Sequence, residues 1–234
     1  RLRLAALYQG AGVEVDREEH VLRGVSLIQA VEALGHRVMV DETTLLEVVE
    51  MGNASAKGIK SRFTHPGLSS DGLGKFLGRI RGLRQEGDKV VGDLFLSALA
   101  FKSPTDGNLG DYILERADED PASFGLSIVA DGSYVWRTED GQEIGAGEPR
   151  PANSIHDLPF LRVDNLVACD VVDEPAANRD GVFSADLWAS NKEAEGLYRL
   201  IDEEMARRGV EPERAYEFAL SYFGARGVDI KEGD

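Results

Sequence analysis

Hydrophobic and polar positions in the first part of the chain follow a strand period and then a helix period. The segment 20–30 (HVLRGVSLIQA) is rich in aliphatic and β-branched residues, a pattern that predicts a strand of mixed burial. In 41–53 (DETTLLEVVEMGN) the apolar residues fall at helical spacing, and either Asp41 or Thr43 can cap the N-terminus. We therefore predict a strand followed by an amphipathic helix.

A β-hairpin is predicted further along, because two apolar segments flank a short turn. The segments 76–85 (FLGRIRGLRQ) and 89–99 (KVVGDLFLSAL) are joined by EGD at 86–88. Just before them, 58–65 (GIKSRFTH) has strand character and ends at Pro66, which interrupts the pattern.

The next predicted elements are a short helix and a strand that folds back on itself. The segment 109–120 (LGDYILERADED) has helical spacing, with Asp106 or Asn108 near its start. The segment 121–130 (PASFGLSIVA) turns into a strand, and ADG at 130–132 predicts a tight tip before the chain continues as SYVWRT.

The remaining pattern divides the chain into a strand-rich body and a helical segment. A polar segment rich in Gly and Pro, 139–154, predicts a long exposed loop, and 161–173 (LRVDNLVACDVVD) resumes strand character. The segment 193–209 is amphipathic with helical spacing, and residues 185–234 are predicted to form a helical hairpin. We predict two units, 1–184 and 185–234, the first with an α+β fold built on an antiparallel sheet or barrel with flanking helices.

Composition and charge exclude several classes of function. The net charge of −16 argues against a nucleic-acid partner, because phosphate binding needs a concentrated basic surface. The sequence has no apolar run of 18 residues, so no membrane span is expected. The single cysteine, Cys169, excludes an internal disulfide and a cysteine-based zinc cluster. Its apolar context, LVACDVV, predicts a buried thiol and suits a reducing compartment.

His65 is the histidine whose position best suits a general base. It ends a predicted strand directly before Pro66, where the chain turns away and leaves the imidazole at an edge. Taken alone, a histidine of this kind is also compatible with a purely structural role. The other three histidines lie in polar or loop contexts and are interpreted as surface residues: His20, His36 and His156.

Ser123 and Asp170 are the further candidates for chemistry. Ser123 stands at the corner between a predicted helix and strand, where nearby backbone N–H groups could face an oxyanion, although it lacks the G-x-S-x-G context. The alternative is a loop residue that tolerates the turn, and Ser127 is then the next candidate nucleophile. Asp170 lies in the apolar run ACDVV, where an unpaired carboxylate would be costly, so it needs a partner. Asp164 shares its face under strict strand alternation.

Three segments taken together resemble the prohead proteases of tailed phages, also called capsid maturation proteases, which share a fold and a His–Ser core with the herpesvirus assemblins. The segments are THPG at 64–67 with the hairpin after it, SFGLSIV at 123–129, and DVVDEPAANRDGVF at 170–183. The resemblance covers about residues 20–184 and lies in the order and spacing of the segments. This chain has Pro66 where many relatives have an Asp.

The resemblance implies a serine endopeptidase in which His65 is the base and Ser123 the nucleophile. The third member varies in the family, and we expect Asp170 first, then Asp164, then Asp173. Backbone amides around Ser123–Gly125, or groups near Asn178–Arg179, are the expected oxyanion donors. No metal or other cofactor is implied.

The resemblance also implies the setting of the reaction. The expected substrates are the major capsid protein and the scaffold protein, with self-cleavage and a homo-oligomer as further expectations and neither nucleic acid nor membrane as a partner. The expected location is the host cytoplasm, inside the assembling prohead. The segment 185–234 is then a candidate linker to, or start of, a scaffold-like region.

Two alternatives stay open at the level of the sequence. The first is a non-enzymatic phage assembly or scaffold protein with an inactive protease-like fold, which the acidic charge and the helical segment would suit. The second is an unrelated β-rich binding module in which the serine and the histidine are coincidental.

Overall fold

The computed structural model of the chain describes residues 14–63, 75–102, 108–178 and 181–183, together with Gly196, Glu203, Ala206, Arg207 and Gly209. His65, Pro66 and Asp106 lie outside these residues, so the predictions made for them stay predictions. The same holds for most of 185–234, within which the four described positions from Gly196 to Arg207 are helical.

Ten strands, two helices and one 3₁₀ turn form within the described residues 14–183. The helices are α1 (Glu42–Ala54) and α2 (Leu109–Glu119), and the 3₁₀ turn is Pro121–Ser123. The strands are β1 (Glu14–Asp16), β2 (Val21–Gln29), β3 (Glu32–Ala33), β4 (Val38–Met39), β5 (Ile59–Phe63), β6 (Lys75–Glu86), β7 (Lys89–Leu96), β8 (Gly125–Arg137), β9 (Glu143–Gly145) and β10 (Phe160–Val172).

The strands form one open, mostly antiparallel sheet with the order β1-β2-β7-β6-β5-β10-β4-β3, and β8 and β9 are added beside β10. Because β8 pairs along the full length of β10, β4 and β5 share the other edge of β10, at its two ends. Both of those pairs are parallel, which the prediction of an antiparallel sheet did not include. The α+β class is confirmed, as is the hairpin of β6 and β7.

Helix α1 forms where the sequence predicted it and is capped by Asp41. The Asp41 carboxylate accepts a hydrogen bond from the Thr44 backbone N–H at 3.1 Å, which satisfies one of the unpaired donors of the first turn. Its apolar face is buried through Leu45 and Val48, which are 1% and 0% exposed. Burial of that stripe, more than helix propensity, holds the helix against the sheet.

The predicted tip at 130–132 is wrong, because β8 continues through it to Arg137. Gly132 lies so close to the Arg162 carbonyl oxygen that a Cβ there would overlap it. The pairing with β10 also shifts register at this point, between Val163 and Asn165. The glycine therefore marks a β-bulge with a close backbone approach, which produces the same sequence signal as a turn. The predicted loop 139–154 likewise contains a short strand, β9.

Cys169 is fully buried on β10, as its apolar context predicted. Burial, with the Asp170 carboxylate next to it, raises the pKa of the Cys169 thiol well above its usual value. A neutral, enclosed thiol is a poor nucleophile, so Cys169 serves the packing of the core.

Candidate functional site

The C-terminal end of β10 brings together the segments that carry the predicted catalytic residues. Val171 of β10 pairs with Phe63, the last residue of β5, and Val172 pairs with Gly125, the first residue of β8. Ser123 precedes Gly125 by two residues. His65 follows Phe63 by two residues, outside the described part of the chain, so its distance from Ser123 stays a prediction.

Ser123 is held in place by hydrogen bonds to Arg116, in the last turn of α2, and to Asp120, directly after that helix. It is the last residue of the 3₁₀ turn, and its Oγ donates to the Asp120 carbonyl at 2.8 Å. The same oxygen accepts from Arg116 Nε at 2.9 Å, and the Ser123 carbonyl accepts from Arg116 Nη2 at 2.7 Å. The half-buried hydroxyl is thus fixed beside a guanidinium, at a corner open to solvent on one side.

Asp170 satisfies the expectation that a carboxylate in an apolar run needs a partner, and the partner is Arg62. Its side chain is 4% exposed. Oδ1 accepts from the backbone N–H and the Nε of Arg62 at 3.0 and 2.9 Å, and Oδ2 accepts from Nη2 at 2.5 Å. The hydrogen bonds to Asp170 raise the pKa of Arg62, and they outweigh burial, which alone would lower it. The Arg62–Asp170 ion pair therefore holds the end of β5 against β10.

The sequence analysis missed Arg62, although a signal was present. A basic residue in the strand segment that runs up to His65 is a natural partner for the one carboxylate in an apolar strand. What the sequence did not show was that β5 and β10 lie side by side and parallel.

The two other carboxylates proposed for the third catalytic position are exposed. Asp164 lies at a β-bulge between Val163 and Asn165, so the strict alternation that grouped it with buried Asp170 does not apply. The side chain of Asp173 is 69% exposed, and its Oδ1 lies 3.4 Å from Arg116 Nη2. Asp173 is therefore linked to Ser123 indirectly, because Arg116 contacts both residues.

Ser127 is the second serine of this region. It lies on β8 directly opposite Asp170, and it is half-buried. It contributes to a pocket of about 170 Å³ between β2 and β8, together with residues such as Leu27 and Ile128. Its position leaves Ser127 as the alternative nucleophile.

The segment after β10 closes the space between β2 and β8. We call residues 173–183, apart from the undescribed 179 and 180, the closing segment. Its Val182 N–H donates to the Pro121 carbonyl at 2.9 Å, and the Val182 carbonyl accepts from Ser26 N–H at 2.8 Å. The side chain of Asn178 is buried and bonds twice to Ser26, through Oδ1 at 2.8 Å and Nδ2 at 2.7 Å. One N–H of the Asn178 amide thus bonds to β2, and the oxyanion role expected of groups near Asn178–Arg179 stays a prediction.

The three other histidines lie within the described part of the chain. His20 and His36 are exposed, as predicted, and the His20 ring lies against Phe101 with centroids 4.3 Å apart. His156 is only partly exposed, and its Nδ1 accepts from the Leu158 N–H at 3.0 Å. His36 also lines the pocket to which Ser127 contributes.

Comparison of the chain with models of known protein families, with curated proteins and with solved structures found no match. In the part of the chain that the structure describes, no helix is long and apolar enough to cross a membrane. Within the same residues, no group of three or more His, Cys, Asp or Glu side chains could hold a metal ion.

Proposed function

We propose that this protein is a serine endopeptidase of the prohead type, with Ser123 as nucleophile, His65 as general base and a sheet related to the herpesvirus assemblin barrel. Its substrates are the major capsid and scaffold proteins inside the assembling prohead, in the host cytoplasm, with self-cleavage and self-association as further parts of the proposal. The observation that supports it is the meeting of the β5 end, the β8 start and buried Asp170 at one end of β10.

Chain geometry makes contact between the two residues feasible. Strands β5 and β8 flank β10, and neighbouring strands lie about 4.8 Å apart, so the two strand ends are separated by roughly 10 Å. Two residues of extended chain span at most about 7 Å. Ser123 is held at its turn, so His65 would have to cover the separation with the two residues that follow Phe63 and with its side chain.

The chemistry follows from the residue types. The imidazole of His65 would take the proton of the Ser123 hydroxyl while Oγ forms a bond to the carbonyl carbon of the peptide. The electron pair of that carbonyl moves to its oxygen and returns when the C–N bond breaks, with the proton passing from the imidazolium to the leaving amine. Water then hydrolyses the acyl-enzyme by the same steps.

Asp170 is the third member of this proposal, with Asp164 and Asp173 as the alternatives. A carboxylate accepts about four hydrogen bonds, and among the described residues Arg62 supplies those to Asp170 through three N–H groups, of which Nε–H is shared between the two oxygens. Asp170 can accept a further bond from His65 while it stays paired with Arg62, because three N–H groups share about four acceptor sites. Otherwise Asp170 acts by holding the end of β5, from which the chain leads to His65.

A second candidate function is a non-enzymatic assembly protein with an inactive protease-like fold. The observation in its favour is that the Ser123 hydroxyl has both its donor and an acceptor site engaged, by the Asp120 carbonyl and by Arg116. A serine in such a turn stabilises the connection between helix and strand without any chemistry.

Proteolysis of a peptide library distinguishes the two candidates. Products would be identified by mass spectrometry after incubation with the wild-type chain, Ser123→Ala and His65→Ala. The protease proposal predicts that only the wild-type chain cleaves the peptides. Equal product formation by all three, or none by a folded wild type, would contradict it.

A further inference from the structure

Arg116 makes two hydrogen bonds with Ser123, one to its side chain and one to its backbone. Its Nε donates to the Ser123 hydroxyl oxygen at 2.9 Å and its Nη2 to the Ser123 carbonyl at 2.7 Å. Arg116 thus bonds both the side-chain oxygen and the backbone carbonyl of the candidate nucleophile.

The guanidinium itself is held on several sides. Its Cζ lies 5.3 Å from the centre of the Phe124 ring, which is almost fully buried. Nη1 donates to the Tyr112 hydroxyl at 3.3 Å, and Nη2 lies 3.4 Å from Asp173 Oδ1. The Arg116 side chain is 25% exposed, so its charge is only partly screened by water where it meets Ser123.

We propose that Arg116 is a further catalytic residue, which fixes Ser123 Oγ and stabilises the negative charge that this oxygen gains as it loses its proton. The proposal rests on the proposed function. A hydroxyl oxygen has two lone pairs and one proton. One lone pair accepts from Arg116 while the other attacks the carbonyl carbon, and the proton turns from the Asp120 carbonyl to the base.

A purely structural role makes a different prediction. In that case Arg116 would only tie the end of α2 to the turn, and its loss would lower stability without a specific effect on the reactivity of Ser123. Charge-assisted hydrogen bonds are worth more than neutral ones, so loss of a catalytically useful one should lower the rate by roughly 10- to 100-fold.

The test is the second-order rate of Ser123 labelling by a fluorophosphonate, followed by mass spectrometry. Arg116→Ala and Arg116→Gln are compared with Arg17→Ala, a control that removes an ion pair to Asp118 on the same helix. We expect a 10- to 100-fold lower rate for both Arg116 variants, an unchanged rate for the control, and partial recovery of Arg116→Ala by added guanidinium ion below denaturing concentrations.

Each other outcome has a distinct meaning. If folded Arg116 variants label at the wild-type rate, or if the rate falls only in proportion to the unfolded fraction and guanidinium restores nothing, the role of Arg116 is refuted while the protease proposal stands. If the folded wild type is not labelled at Ser123, both proposals fall together. Arg116→Gln keeps the test valid should Arg116→Ala fail to fold.

Discussion

The hydroxyl of Ser123 is small, half-buried and bonded to neighbours on its own helix connection, so its chemistry can be tested separately from stability. Removal of its two hydrogen bonds, one of them from the Arg116 guanidinium, should lower the free energy of unfolding by roughly 1–3 kcal/mol. Ser123→Ala should therefore abolish peptide cleavage while thermal unfolding monitored by circular dichroism changes by a few degrees. Ser127→Ala is the matched control, and cleavage that survives in Ser123→Ala but not in Ser127→Ala would transfer the nucleophile role to Ser127.

Asp170 differs from Ser123, since it belongs to a buried ion pair that holds two strands together. Asp170→Asn leaves the Arg62 guanidinium without its counter-charge, and loss of one partner of a buried pair typically costs about 3–5 kcal/mol. We expect a clear loss of stability in urea unfolding for Asp170→Asn and near-wild-type values for exposed Asp164→Asn and Asp173→Asn.

The double variant Arg62→Met/Asp170→Leu separates the two roles of Asp170. Replacement of both charges by apolar groups should restore much of the stability lost in Asp170→Asn. If cleavage stays absent in the restored variant, Asp170 or Arg62 contributes to the reaction beyond the fold. An Asp170→Asn variant as stable as the wild type would contradict the ion-pair account.

At the scale of elements, α1, β9 and β10 are joined by a buried arginine. Arg162 is 7% exposed and binds both oxygens of Asp41, at 2.9 and 3.0 Å, as well as Glu143 of β9. Burial alone would raise the pKa of Asp41, but the hydrogen bonds from Arg162 and Thr44 outweigh it and hold that pKa below its usual value. The N-cap of α1 is therefore also an ion-pair partner.

This arrangement gives the stability a dependence on pH. A carboxyl group whose pKa is lowered on folding stabilises the protein above its unfolded pKa, near 4, and loses that effect as the pH falls toward the folded value. Asp41→Asn keeps a good cap but loses the charge, so we expect its deficit in unfolding free energy to be constant above about pH 5 and to shrink below about pH 4. The measurement is urea unfolding across this pH range, and a deficit that grows in acid would contradict the prediction.

The sequence predicted local elements well, and relations between distant ones poorly. Strand and helix periods, together with the capping residues Asp41 and Asn108, are local signals, and α1, α2 and the hairpin of β6 and β7 follow from them. The partner of Asp170 lies 108 positions away, and that of Arg162 lies 121 positions away. Such pairs depend on strand order, which periodicity does not encode. A glycine such as Gly132 can mark either a turn or a bulge, so the tip predicted at 130–132 was wrong.

At the scale of the molecule, the closing segment joins β2 to the turn that carries Ser123, and Gly181 is the residue that permits this. Gly181 has φ of +81° and lies against the Pro121 carbonyl, so an added Cβ would both strain the backbone and overlap that oxygen. Gly141 has the same φ with nothing near its Cβ position, which makes it a matched control.

We expect Gly141→Ala to cost about 1–2 kcal/mol, the usual penalty of a left-handed backbone for alanine. Gly181→Ala should cost about 1–3 kcal/mol more, because the closing segment must also shift away from Pro121. Equal losses in chemical unfolding would show that the closing segment packs more loosely against the turn than its contacts indicate.

The most direct test of the central claim is the site at which a fluorophosphonate modifies the folded wild-type chain. The proposed mechanism predicts one adduct, on Ser123, that is lost in Ser123→Ala, greatly slowed in His65→Ala and retained in Ser127→Ala. Peptide mapping by tandem mass spectrometry assigns the modified residue. An adduct on Ser127, or the absence of any adduct on a chain whose circular dichroism shows it to be folded, would contradict the assignment of Ser123 as the nucleophile.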